Sequence, residues 1–516
     1  MHVAGVPAQQ ALRPALLHPV LLFLAAAALL RAPAFPATVI DPDEGLYLVQ
    51  AQAWLQGGWP FVAVFDMHPP GAPALLALAL ALIGDPILAA RLLGVAAVAT
   101  TATLLHAIAR RIGGDAATGI AAGMLYVAVS TMPGGLATNT EILFAPCVAL
   151  AALLLLGEAH RAPRAGVVLA AGLAVGVGIA IKQLAAIEGA VLWLAVIVAT
   201  WRAGRIDVRE VAVLAAVFAL GAGAPMLGLG LGYWVAGQGE AWWQGNIASA
   251  LAYLDAPITT PGPRAFVATV LPWLAGLVVL AGGVALRDAP ARAAARWLWP
   301  WLAAAVVAVV LPGKFFDHYA LILAPPLALL AGFGLSAILR QAVLPAFRRG
   351  GFAVLLGLAM AVPVAGMLLP KLATGLGLRG ADPVREVARA AVANLGPAEA
   401  LFVANWHPAT YALAGRLPPT RFPFPLHLMG PVPRLAGVDT AAELDRVLAL
   451  PPGVIVVDPA RWSGLRPEAR AAVEAALARD YVLAATIQDG PGPVEVWRSC
   501  RGGTIMPGPC PQPSPN

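Results

Sequence analysis

The chain has 516 residues, of which 60% are hydrophobic and only 12% charged, and its mean hydropathy is +0.79. A soluble domain carries about 25% charged residues, so this composition excludes a soluble fold and requires lipid around much of the surface. The net charge of +6 does not signal nucleic acid, because no clustered basic arm with interleaved aromatics occurs.

A helix needs about 20 apolar residues to cross the hydrocarbon core. Spans are predicted at 15–32, 86–109, 116–132, 141–157, 165–181, 184–200, 210–235, 266–286, 296–312, 319–339 and 352–369. The first run lacks a small-residue cleavage site and reads as a retained helix. Residues 71–83 form a shorter apolar run, broken from the next span by Gly84-Asp85-Pro86, and read as a half-helix or interfacial piece.

Charge sets the orientation. With the N-terminus cytoplasmic and 71–83 not crossing, Arg13, Arg110, Arg111, Arg161, Arg164, Arg202, Arg205, Arg209, Arg287, Arg292, Arg296, Arg340, Arg348 and Arg349 fall inside, whereas Arg31, Lys182, Arg264 and Lys314 fall outside. The expected fold is therefore an all-α polytopic membrane protein of about 11 transmembrane helices. Its membrane domain covers 1–370, with an outward loop at 34–70, and an outward α/β domain follows at 371–500.

In that last domain the runs at 401–404 and 453–458 read as buried strands, the stretches 383–395, 441–449 and 467–479 as helices, and 481–487 with 494–497 as a closing hairpin. Residues 501–516 are rich in Pro and Gly and read as a disordered tail. Cys147 reads as a small core residue, and Cys500 and Cys510 could pair in an oxidising compartment.

The loop at 34–70 carries Asp41, Asp43, Glu44 and Asp66 without a single Lys or Arg. Carboxylates beside a membrane need solvation, partners or a function. Residues 44–56 have the pattern of an amphipathic helix lying in the interface, with Asp43 at its N-cap and Gly57-Gly58 at its end.

The order D-E-x-x-Y from Asp43 to Tyr47, then Gly57-Gly58-Trp59-Pro60, then Asp66-x-His68-Pro69-Pro70 resembles the GT-C glycosyltransferases. More narrowly it is similar to bacterial relatives of protein O-mannosyltransferases, the lipid A aminoarabinose transferase and the rhizobial galacturonosyltransferases. Asn139-Thr140-Glu141, Gly176-Val177-Gly178 before Lys182, Lys314 to Tyr319, and Trp406-His407-Pro408 with Tyr411 and Gly415-Arg416 extend the resemblance along nearly the whole chain. It departs at His68, where the aminoarabinose branch has Lys.

The resemblance implies transfer of a sugar from a polyprenyl-phosphate donor to an acceptor hydroxyl of lipid A, another glycolipid, a polysaccharide or a protein, at the periplasmic face of a bacterial inner membrane and with inversion. It implies Asp43 as general base, with Asp41 as the alternative and Glu44 orienting the base or binding acceptor. Lys314, His318, Tyr319, Lys182 and His68 become candidates for the donor phosphate and sugar, and Glu141, Asn139 and Tyr47 for acceptor binding or support. No cofactor is required. The D-x-D spacing is compatible with a divalent ion, but no metal is predicted.

Each candidate also has a structural reading. Lys314 could be an interfacial anchor, His318 a buried histidine bonded to a carbonyl, and Glu141 a carboxylate favoured by a helix N-terminus. Two other functions compete: a transporter or flippase for a polyprenyl glycolipid, and a catalytically inactive GT-C scaffold. Neither inverted repeats nor midplane charges, the marks of a transporter, stand out.

Overall fold

The computed structural model describes residues 12–256, 261–285, 288–342, 345–373, 382–490 and 492–500. Every predicted span coincides with a helix: Leu12–Arg31, Pro86–Arg111, Ala116–Val129, Thr140–Leu156, Ala165–Ile181, Ala185–Arg202, Val208–Val235, Pro263–Gly282, Ala289–Val310, Ala324–Gln341 and Pro345–Ala373. Among the described helices, 6 are long and apolar enough to cross a membrane. Others of the set are shorter apolar helices, including Thr140–Leu156 and Ala165–Ile181. The chain is a multi-pass membrane protein.

The chain divides into two compact units. The first comprises 1–34, 91–227 and 260–376; the second comprises 35–90, 228–259 and 377–516. The loop that carries the D-E-x-x-Y and D-x-H-P-P motifs therefore belongs to the same unit as the C-terminal α/β domain.

In the first unit, glycine permits close helix approach. A Cβ on Gly172 would lie 2.6 Å from the Phe218 carbonyl oxygen, and one on Gly176 would lie 2.7 Å from that of Ala222. Small residues four apart allow this backbone contact, as membrane helices commonly require. The helices begin where expected chemistry lies: Asp115 caps Ala116–Val129 by accepting from the Thr118 amide at 2.8 Å, as a short polar side chain at an N-cap does.

In the second unit, the 71–83 run is a helix of 13 residues that ends at Gly84 with φ of +83°. At 1.5 Å per residue it spans roughly 20 Å, short of a hydrocarbon core of about 30 Å. Strands β1 (Leu401–Val403), β2 (Val454–Val457), β3 (Tyr481–Asp489) and β4 (Gly492–Ser499) form a 4-stranded sheet in the order β1-β2-β4-β3. The β1–β2 pair is parallel, joined by a helical crossover, and β3–β4 is the predicted hairpin, with a register shift between Leu483 and Ala485. The helices Pro383–Ala393, Thr440–Ala449 and Pro467–Asp480 match the predicted segments within two residues at each end. Phe402, Ile455, Val457, Leu444, Val473 and Leu477 form one buried core.

The crossover motif stabilises this domain. Val403 N–H donates to the Tyr411 hydroxyl at 2.8 Å, and Gly415 ends helix Ala409–Ala414 with φ of +63°. Cys147 is a free thiol and Cys500 is disulfide-bonded. Cys510 and the predicted disordered tail 501–516 lie outside the described residues.

Candidate active site

The predicted site residues fall into two polar clusters, one in each unit. That of the second unit is built on helix Pro42–Leu55. Two expectations about this helix are corrected. Its N-cap is Asp41, not Asp43: the Asp41 carboxylate accepts from the Asp43 amide at 3.1 Å, and Pro42 takes the first helical position, where a missing N–H costs nothing. Nor does the helix lie in an interface with one face in water. Glu44 through Ala51 are all buried, because the C-terminal domain packs over it: a Cβ on Gly45 would lie 2.8 Å from the Ala409 backbone nitrogen. The residue pattern that resembled amphipathicity belongs to a helix enclosed by protein. As predicted, a glycine follows its end, Gly57 with φ of +86°.

The D-x-H-P-P segment lies in the same unit. Phe65 joins the core of the α/β domain, and its amide donates to the Arg421 carbonyl at 2.6 Å. Burying such a side chain stabilises by about 2–3 kcal/mol. Asp66, 1% exposed, follows it. One carboxylate oxygen accepts from the Met67 amide at 2.7 Å, and both lie 3.2–3.3 Å from His68 Nδ1. Tyr47 places its hydroxyl 3.4 Å from the same nitrogen.

An ionised carboxylate accepts only, so Nδ1 carries the proton toward Asp66. Burial by itself would raise the Asp66 carboxyl, but the charge and hydrogen bond of His68, with the field of His427, hold it below the usual carboxylate value. His427 is buried against the Phe65 ring, and burial pushes it down to about 4.

The cluster of the first unit forms around the start of helix Thr140–Leu156, with Asn139 at the N-cap position and Glu141 in the first turn. Lys182 ends helix Ala165–Ile181. Its ammonium donates to the Glu141 carboxylate and lies 4.3 Å from the centre of the Tyr319 ring. The His318 ring stands edge-on to Tyr319 at 5.0 Å and is stacked with Phe316. A Cβ on Gly134, whose φ is +75°, would lie 2.8 Å from His318 Cβ, so glycine is required in the turn that precedes Asn139. Lys314 is buried in the loop that leads to His318.

Thus Glu141, Lys182, His318 and Tyr319 come together in one unit, and Asp41, Asp43, Glu44, Tyr47 and His68 occupy one segment of the other. Sequence reading missed three supports. Arg31, assigned outside as a loop charge, is 1% exposed and donates to the carbonyls of Gly135, Leu136 and Ala137 at 2.7–3.2 Å. It holds the turn before Asn139. Arg91 is equally buried and donates to the Ala34 carbonyl at 2.9 Å. His427, the third, gave no local signal, since it becomes relevant only by packing on Phe65.

Residues 67–228 match the family model of dolichyl-phosphate-mannose-protein mannosyltransferases. The structure is similar to ArnT from Cupriavidus metallidurans bound to undecaprenyl phosphate, with a TM-score of 0.62 at 17% identity over 94% of this chain and 99% of that one. The chain has the GT-C fold. The archaeal oligosaccharyltransferase AglB from Archaeoglobus fulgidus, in complex with an inhibitory peptide and a dolichol-phosphate, is similar with a TM-score of 0.53 at 13% identity, over 95% of this chain and 75% of that one. No curated protein sequence matches this chain significantly. The resemblance to GT-C glycosyltransferases drawn from the motifs is borne out.

Proposed function

We propose that this chain is a membrane glycosyltransferase that takes a sugar from a polyprenyl-phosphate donor, with Asp43 as general base. The acceptor O–H gives its proton to the Asp43 carboxylate while its oxygen attacks the anomeric carbon. The bond from that carbon to the phosphate oxygen breaks, and the polyprenyl phosphate leaves with the electron pair. In-line attack inverts the configuration. A positioned base contributes about 10²–10⁴-fold to such a step, and donors toward the leaving phosphate stabilise its growing charge.

The observation that carries the choice of base is the commitment of Asp41 to the helix cap. Of the two carboxylates in D-x-D, the Asp41 side chain is spent on the backbone, and Asp43 follows in the first helical turn. The motif resemblance, and not the packing of the two units, suggests Lys314, His318 and His68 as contacts for the phosphate. Lys182, already charge-matched by Glu141, positions Tyr319 instead. The reaction runs at the periplasmic face of a bacterial inner membrane, the side to which the arginine distribution assigns loop 34–70. No metal or cofactor enters this reading.

The test uses the purified full chain in nanodiscs with a panel of radiolabelled polyprenyl-phosphate sugars and a membrane-lipid extract. Transfer by wild type that persists in Asp41→Asn and disappears in a folded Asp43→Asn supports the assignment. Equal activity in wild type and Asp43→Asn removes Asp43 from the mechanism. Lipid flipping without transfer from any donor would replace the enzyme by a flippase.

A further inference from the structure

Helices Ala185–Arg202 and Ala289–Val310 both qualify as membrane spans, and with the end of Thr140–Leu156 they border a groove of about 600 Å³. The groove has two chemically distinct parts. Val191, Leu194 and Val198 form an apolar track along one helix face, and Leu194 is 51% exposed. Arg202, Arg205 and Arg296 close one end of the track. All three arginines are exposed.

The carboxylates next to groove-lining residues in the chain are already engaged. Glu158 pairs with Arg161 and Arg164 at 2.5 and 2.9 Å, and Asp207 and Glu210 cap each other's backbone amides at 2.8 Å. Among the described residues no carboxylate pairs with Arg202, Arg205 or Arg296. The Arg296 guanidinium instead lies 4.8 Å from the centre of the Trp297 ring.

Two further features fix the depth of this site. Trp201 is about half exposed at the end of helix Ala185–Arg202, where indole rings sit at the headgroup level. From Val191 to Arg202 the helix rises roughly 16 Å, close to half of a hydrocarbon core of about 30 Å. An occupant would thus lie in one leaflet, its chain on Val191, Leu194 and Val198 and its anion among three guanidiniums. Basic pockets between membrane helices recognise anionic lipid headgroups in this way, and arginine matches phosphate oxygens with paired donors.

We propose that this groove binds an anionic phospholipid of the leaflet that faces Arg202, Arg205 and Arg296. The site belongs wholly to the first unit and is distinct from the Glu141–Lys182 cluster. It needs neither the sugar donor nor Asp43, so it stands or fails separately from the proposed transferase reaction.

Native mass spectrometry of the full chain, released from nanodiscs of mixed phosphatidylglycerol and phosphatidylcholine, tests it. Wild type should retain phosphatidylglycerol over phosphatidylcholine by about tenfold or more. The double variant Arg202→Ala/Arg296→Ala should lose that preference, while Arg292→Ala, which removes an arginine from the neighbouring groove, should keep it. Thermal unfolding in zwitterionic detergent shows whether the variants remain folded, and the single variant Arg205→Ala replaces the double variant if it does not. Equal retention of the two lipids by wild type, or a preference unchanged in a folded groove variant, overturns the proposal. Displacement of phosphatidylglycerol by an equal amount of polyprenyl phosphate overturns the assigned occupant and makes the groove a carrier-lipid site.

Discussion

The Lys182 ammonium is bound to the Glu141 carboxylate across 41 residues of sequence, and both side chains are buried. Removing one partner strands a charge in a low-dielectric site, which typically costs about 3–5 kcal/mol, whereas replacing both with neutral side chains can be nearly neutral. Lys182→Met should therefore lower the unfolding temperature in detergent sharply, and Glu141→Gln/Lys182→Met should recover most of the loss. If the double variant is no better than Lys182→Met, the pair is not the dominant contact of either residue.

Asp41 and Asp43 should separate stability from chemistry. Asp41→Ala removes a helix cap and should cost about 1 kcal/mol, while Asp41→Asn keeps an oxygen acceptor and should cost little. Asp43→Asn should leave the unfolding temperature near wild type and reduce transfer by about 10²–10⁴-fold. A stable but inactive Asp41→Asn would reverse the two roles.

Acid should destabilise the second unit before its carboxylates titrate. Burial pushes His407 and His427 down to about 4 from an ordinary 6.5. Between those values the unfolded chain binds protons that the folded chain refuses, so stability falls as pH drops from 6.5 to 4. Each histidine contributes on the order of 3 kcal/mol to that fall at 1.36 kcal/mol per pH unit. Asp66 acts at lower pH: its folded-state carboxyl is depressed, so its stabilisation is present above about 4 and is lost below. Unfolding followed by tryptophan fluorescence at pH 7, 5.5 and 4.5 checks the slope, which His427→Gln should flatten. A slope identical to wild type in that variant would remove His427 from the effect.

The helix crossing at Gly172 and Gly176 should not accept a side chain. The nearest carbonyl oxygens lie under 3.0 Å from a built Cβ, and both belong to backbone, so the helices must separate. Overpacking of this kind costs about 1–3 kcal/mol. Gly172→Val and Gly176→Val should each lower the unfolding temperature, and Gly166→Val, which has open space around it, should not. Equal shifts at all three positions would point to helix propensity rather than crossing distance.

The sequence by itself determined the membrane class, the apolar segments, the strands and helices of the C-terminal domain, and the GT-C resemblance. The segments depend on hydropathy, periodicity and capping within about 20 residues, and the resemblance on short motifs in a fixed order along the chain, so a linear reading recovers both. Tertiary structure decided which carboxylate caps the helix after Asp41, that this helix is enclosed, and that Asp66 orients His68 beside His427. It also turned Arg31 from a loop charge into a clamp on carbonyls more than 100 residues away. Charged and polar side chains near a membrane take the partner that best offsets their desolvation, and that partner is set by which segments pack together rather than by the residues beside them in the chain.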